Sequence, residues 1–203
     1  MDHSAAFASA MIRALLARLK RKTRRHAYRQ VYTTRTKDPG LITMPTKWVG
    51  MRPRDHVWVR EGFYTVGGAF GGYKTDGRPH SLPRQVVRLH PATHMPPNLS
   101  RITLIVEEVR VEPLQSISEA DAEAEGVSFA LEEVDKKPWG DISPAGRRDM
   151  VNEKFGSHRM AFEWMWNRFY GRDAWKENPA VAVITFVPYE FKIDEAPSSL
   201  AAE

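Results

Sequence analysis

The stretch Phe7–Arg25, FASAMIRALLARLKRKTRR, governs how the rest of the chain is read. Ile12, Leu15, Leu16 and Leu19 recur at helical spacing, which predicts a helix near residues 9–19 with one docked apolar face. It runs into Lys20, Arg21, Lys22, Thr23, Arg24 and Arg25, a cationic cluster holding one hydroxyl. Lys20 and Thr23 are three residues apart and would share a face on a last helical turn. An amine beside a hydroxyl, amid other cations, fits an activated nucleophile and equally a phosphate clamp.

Outward from this segment, Arg101–Val111 carries the strongest strand pattern, with Ile102, Leu104 and Val106 alternating with Thr103, Ile105 and Glu107. Ala180–Val187 is an apolar, β-branched run that reads as a buried strand. Val57–Arg60, Phe63–Val66 and Gln85–Leu89 read as shorter strands. Ser118 looks like a helix N-cap with Asp121 at the third position, and Gly126 like the C′ residue closing a helix over 119–125. Glu125 then sits at a helix C-terminus, where the macrodipole disfavours an exposed carboxylate by about 0.3–1 kcal/mol; this hints at another purpose for it. Residues 147–170 suit a helix interrupted near Gly156-Ser157, with Phe162, Met165, Trp166 and Phe169 on its apolar face. Residues 33–47 read as a loop turning at Asp38-Pro39-Gly40, and 127–146 as irregular. The glycines between Gly67 and Gly77 form no phosphate loop, since no GKS or GKT follows, and suit a hairpin tip in preference to a mobile lid. Short strands and three helices in mixed order predict an α+β fold with a small curved sheet or barrel.

With 203 residues, 42% hydrophobic and 27% charged, the chain suits a single packed domain over residues 1–190, followed by a flexible tail over 191–203. No cysteine is present, which excludes disulfides and thiolate chemistry. No apolar run approaches bilayer length, so no membrane partner is expected. The start lacks a secretory core; its Arg-rich amphipathic character imitates a mitochondrial transit peptide, but it is read as part of the fold, in a cytoplasmic protein. Residues 1–60 hold 14 Lys/Arg and 3 Asp/Glu, which leaves 16 and 22 for the remainder. A cationic end and a mildly anionic remainder suit a phosphate-bearing partner, or simply a solvated basic face. His90 and His94 have the spacing of a helical metal pair, but Pro91, Pro96 and Pro97 break any helix there, and neither a metal nor a cofactor is expected.

Four blocks in order resemble the ASCH domain family, in particular the versions carried by bacteriophages and prophages. The first is Met11–Leu16 leading to Lys20, Thr23, Arg24 and Arg25. The family motif G-x-K-x-x-E-x-R falls on Arg18, Lys20, Thr23 and Arg25, with Arg18 in place of glycine and Thr23 in place of glutamate, the latter usual in the phage-type branch. The second is Arg54–Glu61, RDHVWVRE, similar to G-D-x-L-W-V-R-E. The third runs from His94-Met95-Pro96 through Ser100–Leu104 to Ile117–Gly126. The fourth is Phe162–Trp166, then Trp175, Asn178-Pro179, Val181, Val183 and Phe186. The glycine-rich loop and residues 127–160 fit the family poorly.

The resemblance implies a PUA-like small β-barrel with flanking helices and a cleft for RNA or a modified nucleoside. Some small bacterial members are amidohydrolases that deacylate N4-acetylcytidine with a lysine, a threonine and a glutamate, which map to Lys20, Thr23 and Glu125. Other members are described as ribonucleases or as RNA-binding modules, and both alternatives stay open here. Arg24, Arg25, Arg60, Glu61, Arg101 and Trp58 are the candidate nucleic-acid contacts. For each a plainer role competes: Trp58 as core, Arg60-Glu61 as a strand-terminal salt bridge, Arg25 and Arg101 as partners of nearby acids, Glu125 as an ion pair with the basic cluster.

Overall fold

Residues 180–189, AVAVITFVPY, are almost continuously apolar because they form an interior strand of the main sheet. Val181, Ala182, Val183, Ile184 and Phe186 are all buried. A computed structural model describes residues 2–33, 40–79, 83, 86–135 and 142–195. In chain order the elements are β1 (Asp2–Ala6), α1 (Ser9–Leu16), β2 (Lys22–His26), β3 (Tyr28–Thr33), β4 (Gly40–Pro45), β5 (His56–Arg60), β6 (Phe63–Val66), β7 (Ala69–Tyr73), β8 (Val87–His90), β9 (Thr103–Pro113), α2 (Glu119–Ala124), α3 (Val127–Asp135), α4 (Pro144–Phe155), α5 (His158–Tyr170) and β10 (Ala180–Tyr189). The fold is α+β. A five-stranded sheet has the order β1-β5-β9-β10-β2, beside a two-stranded ribbon β3-β4 and a three-stranded sheet β7-β6-β8. None of the three closes on itself among the described residues. No helix among them is long and apolar enough to cross a membrane.

Only β1 and β5 run parallel; the other pairs in the large sheet are antiparallel. One core joins Ile12, Ala14 and Leu15 of α1, Leu104 and Val106 of β9, Phe162 and Trp166 of α5, and the β10 run. The β9–β10 register shifts between Thr185 and Phe186, a bulge opposite the start of β2.

Several expected elements differ, each for a local reason. The first helix ends at Leu16, three residues short of the expected end. Arg18 N donates to Leu15 O and Leu19 N to Ala14 O, both at 2.9 Å, with Arg18 at φ +57°. This is a Schellman motif whose left-handed position is filled by arginine. Lys20 and Thr23 are therefore not on one helical turn: Lys20 lies in the connection and Thr23 in β2. An L-residue in this conformation costs about 1–2 kcal/mol, against roughly 0.5–1 kcal/mol of extra backbone entropy lost by glycine. Arg18→Gly is thus expected to stabilise the protein by roughly 0.5–1 kcal/mol, read as a rise of about 2 °C in Tm; an unchanged or lower Tm would contradict this account.

The segment expected as a loop over 33–47 instead contributes the β3-β4 ribbon, paired from Tyr28↔Pro45 to Thr33↔Gly40; Asp38-Pro39 lies outside the described residues. Residues 127–135, expected to be irregular, form α3, whose Val127, Ala130 and Leu131 face the core. Glu132 anchors it through the Arg147 guanidinium of α4. The interruption expected near Gly156-Ser157 parts α4 from α5, with Gly156 at φ +77° and Ser157 capping the second helix, and α4 starts at Pro144, three residues before the expected start. Of the glycines expected as a hairpin tip between Gly67 and Gly77, Gly67-Gly68 form one between β6 and β7, whereas Gly71 and Gly72 lie within β7. Chain expected as tail still packs at Ile193, and Phe191 O accepts from the Thr103 hydroxyl; residues 196–203 lie outside the described residues.

Candidate functional site

Three elements meet where α1 gives way to the sheet. The connection after α1 carries Lys20, and β2 carries Thr23, Arg24 and Arg25. Glu125 caps the C-terminus of α2, whose N-terminus is held by Ser118 accepting from Asp121 N. Arg21 N donates to Ala124 O at 2.8 Å, tying the connection to the end of α2. Pairing of β2 with β10 through Thr23↔Ile184 fixes the rest. Lys20, Thr23, Arg24, Arg25 and Glu125 together line a cavity of about 300 Å³.

Lys20 is 2% exposed. Its Nζ donates to Lys22 O at 2.8 Å, Glu125 O at 2.8 Å and Glu125 Oε2 at 2.9 Å, which uses all three ammonium hydrogens. Burial pushes the Lys20 pKa below the usual lysine range, and the Glu125 carboxylate opposes that shift. The Arg24 side chain, fully buried, fans out to Glu125 Oε1 at 3.3 Å and to Glu112 Oε1 and Asp121 Oδ2 at 2.8 Å. Arg110 holds the same two carboxylates from outside, and Lys22 pairs with Asp121. For Glu112 and Asp121 burial alone would raise the pKa, but the hydrogen bonds from these cations outweigh it and hold both carboxyls below the ordinary range. With Glu108 at the outer end of Arg110, Lys20, Lys22, Arg24 and Arg110 face Glu108, Glu112, Asp121 and Glu125, so four cations meet four carboxylates and the network is neutral.

Much of the remaining lining is aromatic. Phe162, Trp166, Phe169 and Tyr170 of α5 line the cavity together with Phe7 and Met11. Trp166 and Tyr170 lie 4.2 Å apart, and His26 meets Tyr170 edge-on at 4.8 Å. Arg24 Nε, Arg25 Nε and Trp166 Nε1 are buried donors with no acceptor among the described residues. Buried donors are nearly always satisfied. A planar ligand presenting acceptor oxygens would be stacked by the aromatic wall and would meet these N–H groups.

Thus the structure brings together Lys20, Thr23, Glu125, Arg24 and Arg25. It does not bring Glu61 and Arg101 to this cavity. They form a fork-to-fork pair at 2.8 and 3.1 Å, extended by Asp76 at 2.9 Å and stacked on Tyr73 at 3.9 Å. Arg60 and Trp58 lie on β5, with the guanidinium 5.7 Å from the indole ring. His90 stacks on Phe63 and contacts the Thr65 hydroxyl, and no metal-binding cluster exists among the described residues. The sequence gives no sign that the carboxylates of Glu112 and Asp121 join Arg24, and of the four residues expected on the apolar face of the last helix, Phe162, Met165 and Trp166 are buried. Phe169, the fourth, is 56% exposed. The available signal was the excess of aromatic residues, Phe162, Trp164, Trp166, Phe169 and Tyr170, beyond what one core-facing stripe needs. Compared with protein-family models, with curated proteins and with solved structures, the chain finds no significant match in any of the three.

Proposed function

We propose that the protein is an amidohydrolase that removes an acyl group from an N4-acetylcytidine-type nucleoside, with Lys20, Thr23 and Glu125 as its working residues. The observation that carries this reading is that Glu125, 105 residues beyond Lys20, joins Lys20 and Thr23 on one aromatic-walled cavity. The ordered ASCH-like blocks support it, and a PUA-like barrel relationship, an RNA or nucleoside partner and a cytoplasmic setting belong to the same proposal.

The chemistry follows from the buried pair. The mechanism starts with one proton passed from the Lys20 ammonium to Glu125 across their 2.9 Å hydrogen bond, and burial of Lys20 favours its neutral amine. The Lys20 amine then takes the Thr23 proton as the hydroxyl attacks the acyl carbon. The unmatched N–H groups of the cavity suit the oxygen that gains charge. Collapse breaks the C–N bond, the Glu125 proton goes to the leaving amine, and an ester on Thr23 remains for water to hydrolyse. Thr23→Ala removes only the hydroxyl, so turnover of N4-acetylcytidine should fall by at least about a thousandfold, on the scale of losing a nucleophile, while ligand binding persists. Mass spectrometry of the released cytidine reads this directly, and a Thr23→Ala protein that turns over normally would end the proposal.

A second reading, RNA or modified-base binding without turnover, has one observation behind it: all three Lys20 hydrogens are already engaged, so the ammonium offers no lone pair. No turnover by the parent protein on any acylated nucleoside, together with RNA binding that weakens with salt, would decide for it.

A further inference from the structure

The neutral network around Arg24 leaves the other side of the cavity mouth uncompensated. Arg25 lines the cavity, and its Nη2 donates to Ala6 O at 3.1 Å. Lys47 Nζ donates to Ser4 O at 2.6 Å. Ser4 and Ala6 are alternate residues of β1, the edge strand, so their carbonyls point the same way, about 7 Å apart. Arg60 is the register partner of Ala6 across the β1–β5 pair. Trp48 lies between the first two cations, 5.5 Å from the Arg25 guanidinium and 4.6 Å from Lys47 Nζ. Arg25 and Lys47 thus meet at Trp48 beside one end of β1, while Arg60, over Trp58 on the neighbouring strand, donates from Nη1 to Thr93 O at 3.5 Å.

Nothing within the described residues answers their charge. No carboxylate there lies within ion-pair distance of Arg25, Lys47 or Arg60, although carboxylates pair with most other cations around the site. Arg25 Nε and Arg60 Nε are buried donors without an acceptor. Partial burial, and then the charges of Arg60 and Arg25, pull the Lys47 pKa below the usual lysine range, so the three fields overlap. Like charges gathered without a counter-charge, with donor nitrogens unused, are the complement of an external oxyanion.

We propose that Arg25, Lys47 and Arg60 form a phosphate subsite at the mouth of the cavity, so that its ligand carries a phosphate group and not a bare nucleoside alone. That a phosphorylated molecule is also the substrate rests on the amidohydrolase reading; the subsite itself does not. The phosphate comes from a mononucleotide or from the backbone of a single strand, with the base reaching past Arg25 to the aromatic wall.

The test compares cytidine, cytidine 5′-monophosphate and a short oligocytidine by calorimetric titration at several salt concentrations. The parent protein is assayed with Lys47→Gln, Arg60→Gln and, as an exposed charge-matched control outside the proposed subsite, Lys176→Gln. The expected result is at least about tenfold tighter binding of a phosphate-bearing probe than of cytidine, with each subsite variant losing roughly five- to tenfold on that probe. Cytidine binding should be unchanged in all variants, and the control should bind like the parent. Tight binding of the monophosphate assigns the phosphate to a mononucleotide. Tight binding of the oligomer alone, with a log–log salt slope that falls by about 0.7 per lost contact, assigns it to a strand. Equal binding of all three probes, or variants that bind like the parent, overturns the subsite. Failure of the amidohydrolase reading looks different: no turnover of N4-acetylcytidine or its 5′-monophosphate, with phosphate-dependent binding intact.

Discussion

Lys20→Met is expected to lower the unfolding free energy by about 3–5 kcal/mol, the usual consequence of removing one partner of a buried ion pair. Glu125, 3% exposed at its side chain, would keep only the 3.3 Å contact to Arg24, and the carbonyls of Lys22 and Glu125 would lose their shared donor. The double variant Lys20→Met/Glu125→Leu removes both charges and should recover most of that loss, because a buried pair replaced by apolar side chains of similar volume is often neutral in stability. Arg24 keeps Glu112 and Asp121 in that variant. Urea unfolding of the single and double variants separates the two roles of the pair. A restored midpoint with no turnover places the pair in the chemistry. A single variant as stable as the parent would show that the Lys20 ammonium is not the tie described here.

Gly126→Ala should be nearly as damaging through the backbone. Gly126 has φ +76°, and a Cβ there would lie 2.9 Å from Ala14 Cβ and 3.3 Å from Lys20 Cβ. The left-handed conformation costs about 1–2 kcal/mol for an L-residue, and overpacking adds about 1–3 kcal/mol. Gly156→Ala is the internal comparison. It has nearly the same φ, +77°, but its nearest neighbour would be Met160 Sδ at 3.6 Å, an ordinary contact. Melting temperatures should therefore fall for both and further for Gly126→Ala. Only Gly126→Ala should also depress turnover at temperatures where the protein stays folded, because it displaces Lys20. Equal losses at the two glycines would remove steric pressure on Lys20 from the account.

Much of this was legible in the residues, and what was not has identifiable causes. The alternation in 101–111 became β9, whose Thr103–Val106 are buried while its later residues are exposed or half-buried, and the apolar run at 180–187 became β10, buried along most of its length. Ser118 and Gly126 bracketed α2 because caps are local chemistry. The end of α1 was misplaced because Leu19 continues the apolar period while the backbone has already turned at Arg18. Only the substitution of arginine for the glycine of the family motif hinted at that turn. The 33–47 segment read as loop because its apolar residues, among them Leu41 and Ile42, are exposed and show no one-sided alternation. For the site, the misplaced carboxylate at a helix end pointed to Glu125. Its companions could not be foreseen: Asp121 lies one helical turn earlier and Glu112 on β9, and only the fold turns them toward Arg24. The plainer role of an ion pair, weighed for Arg101, is the one its geometry displays.

The hydrogen bond from Lys20 to Glu125 joins residues 105 apart in sequence. Closing so long a loop costs entropy that a single ion pair does not return, so the contact forms only after the sheet and α2 have brought its ends together. The cavity is therefore among the last features to appear as the chain folds. During refolding, helical signal should return before ligand binding or turnover does, and the interval between them is a clock for the assembly of the site.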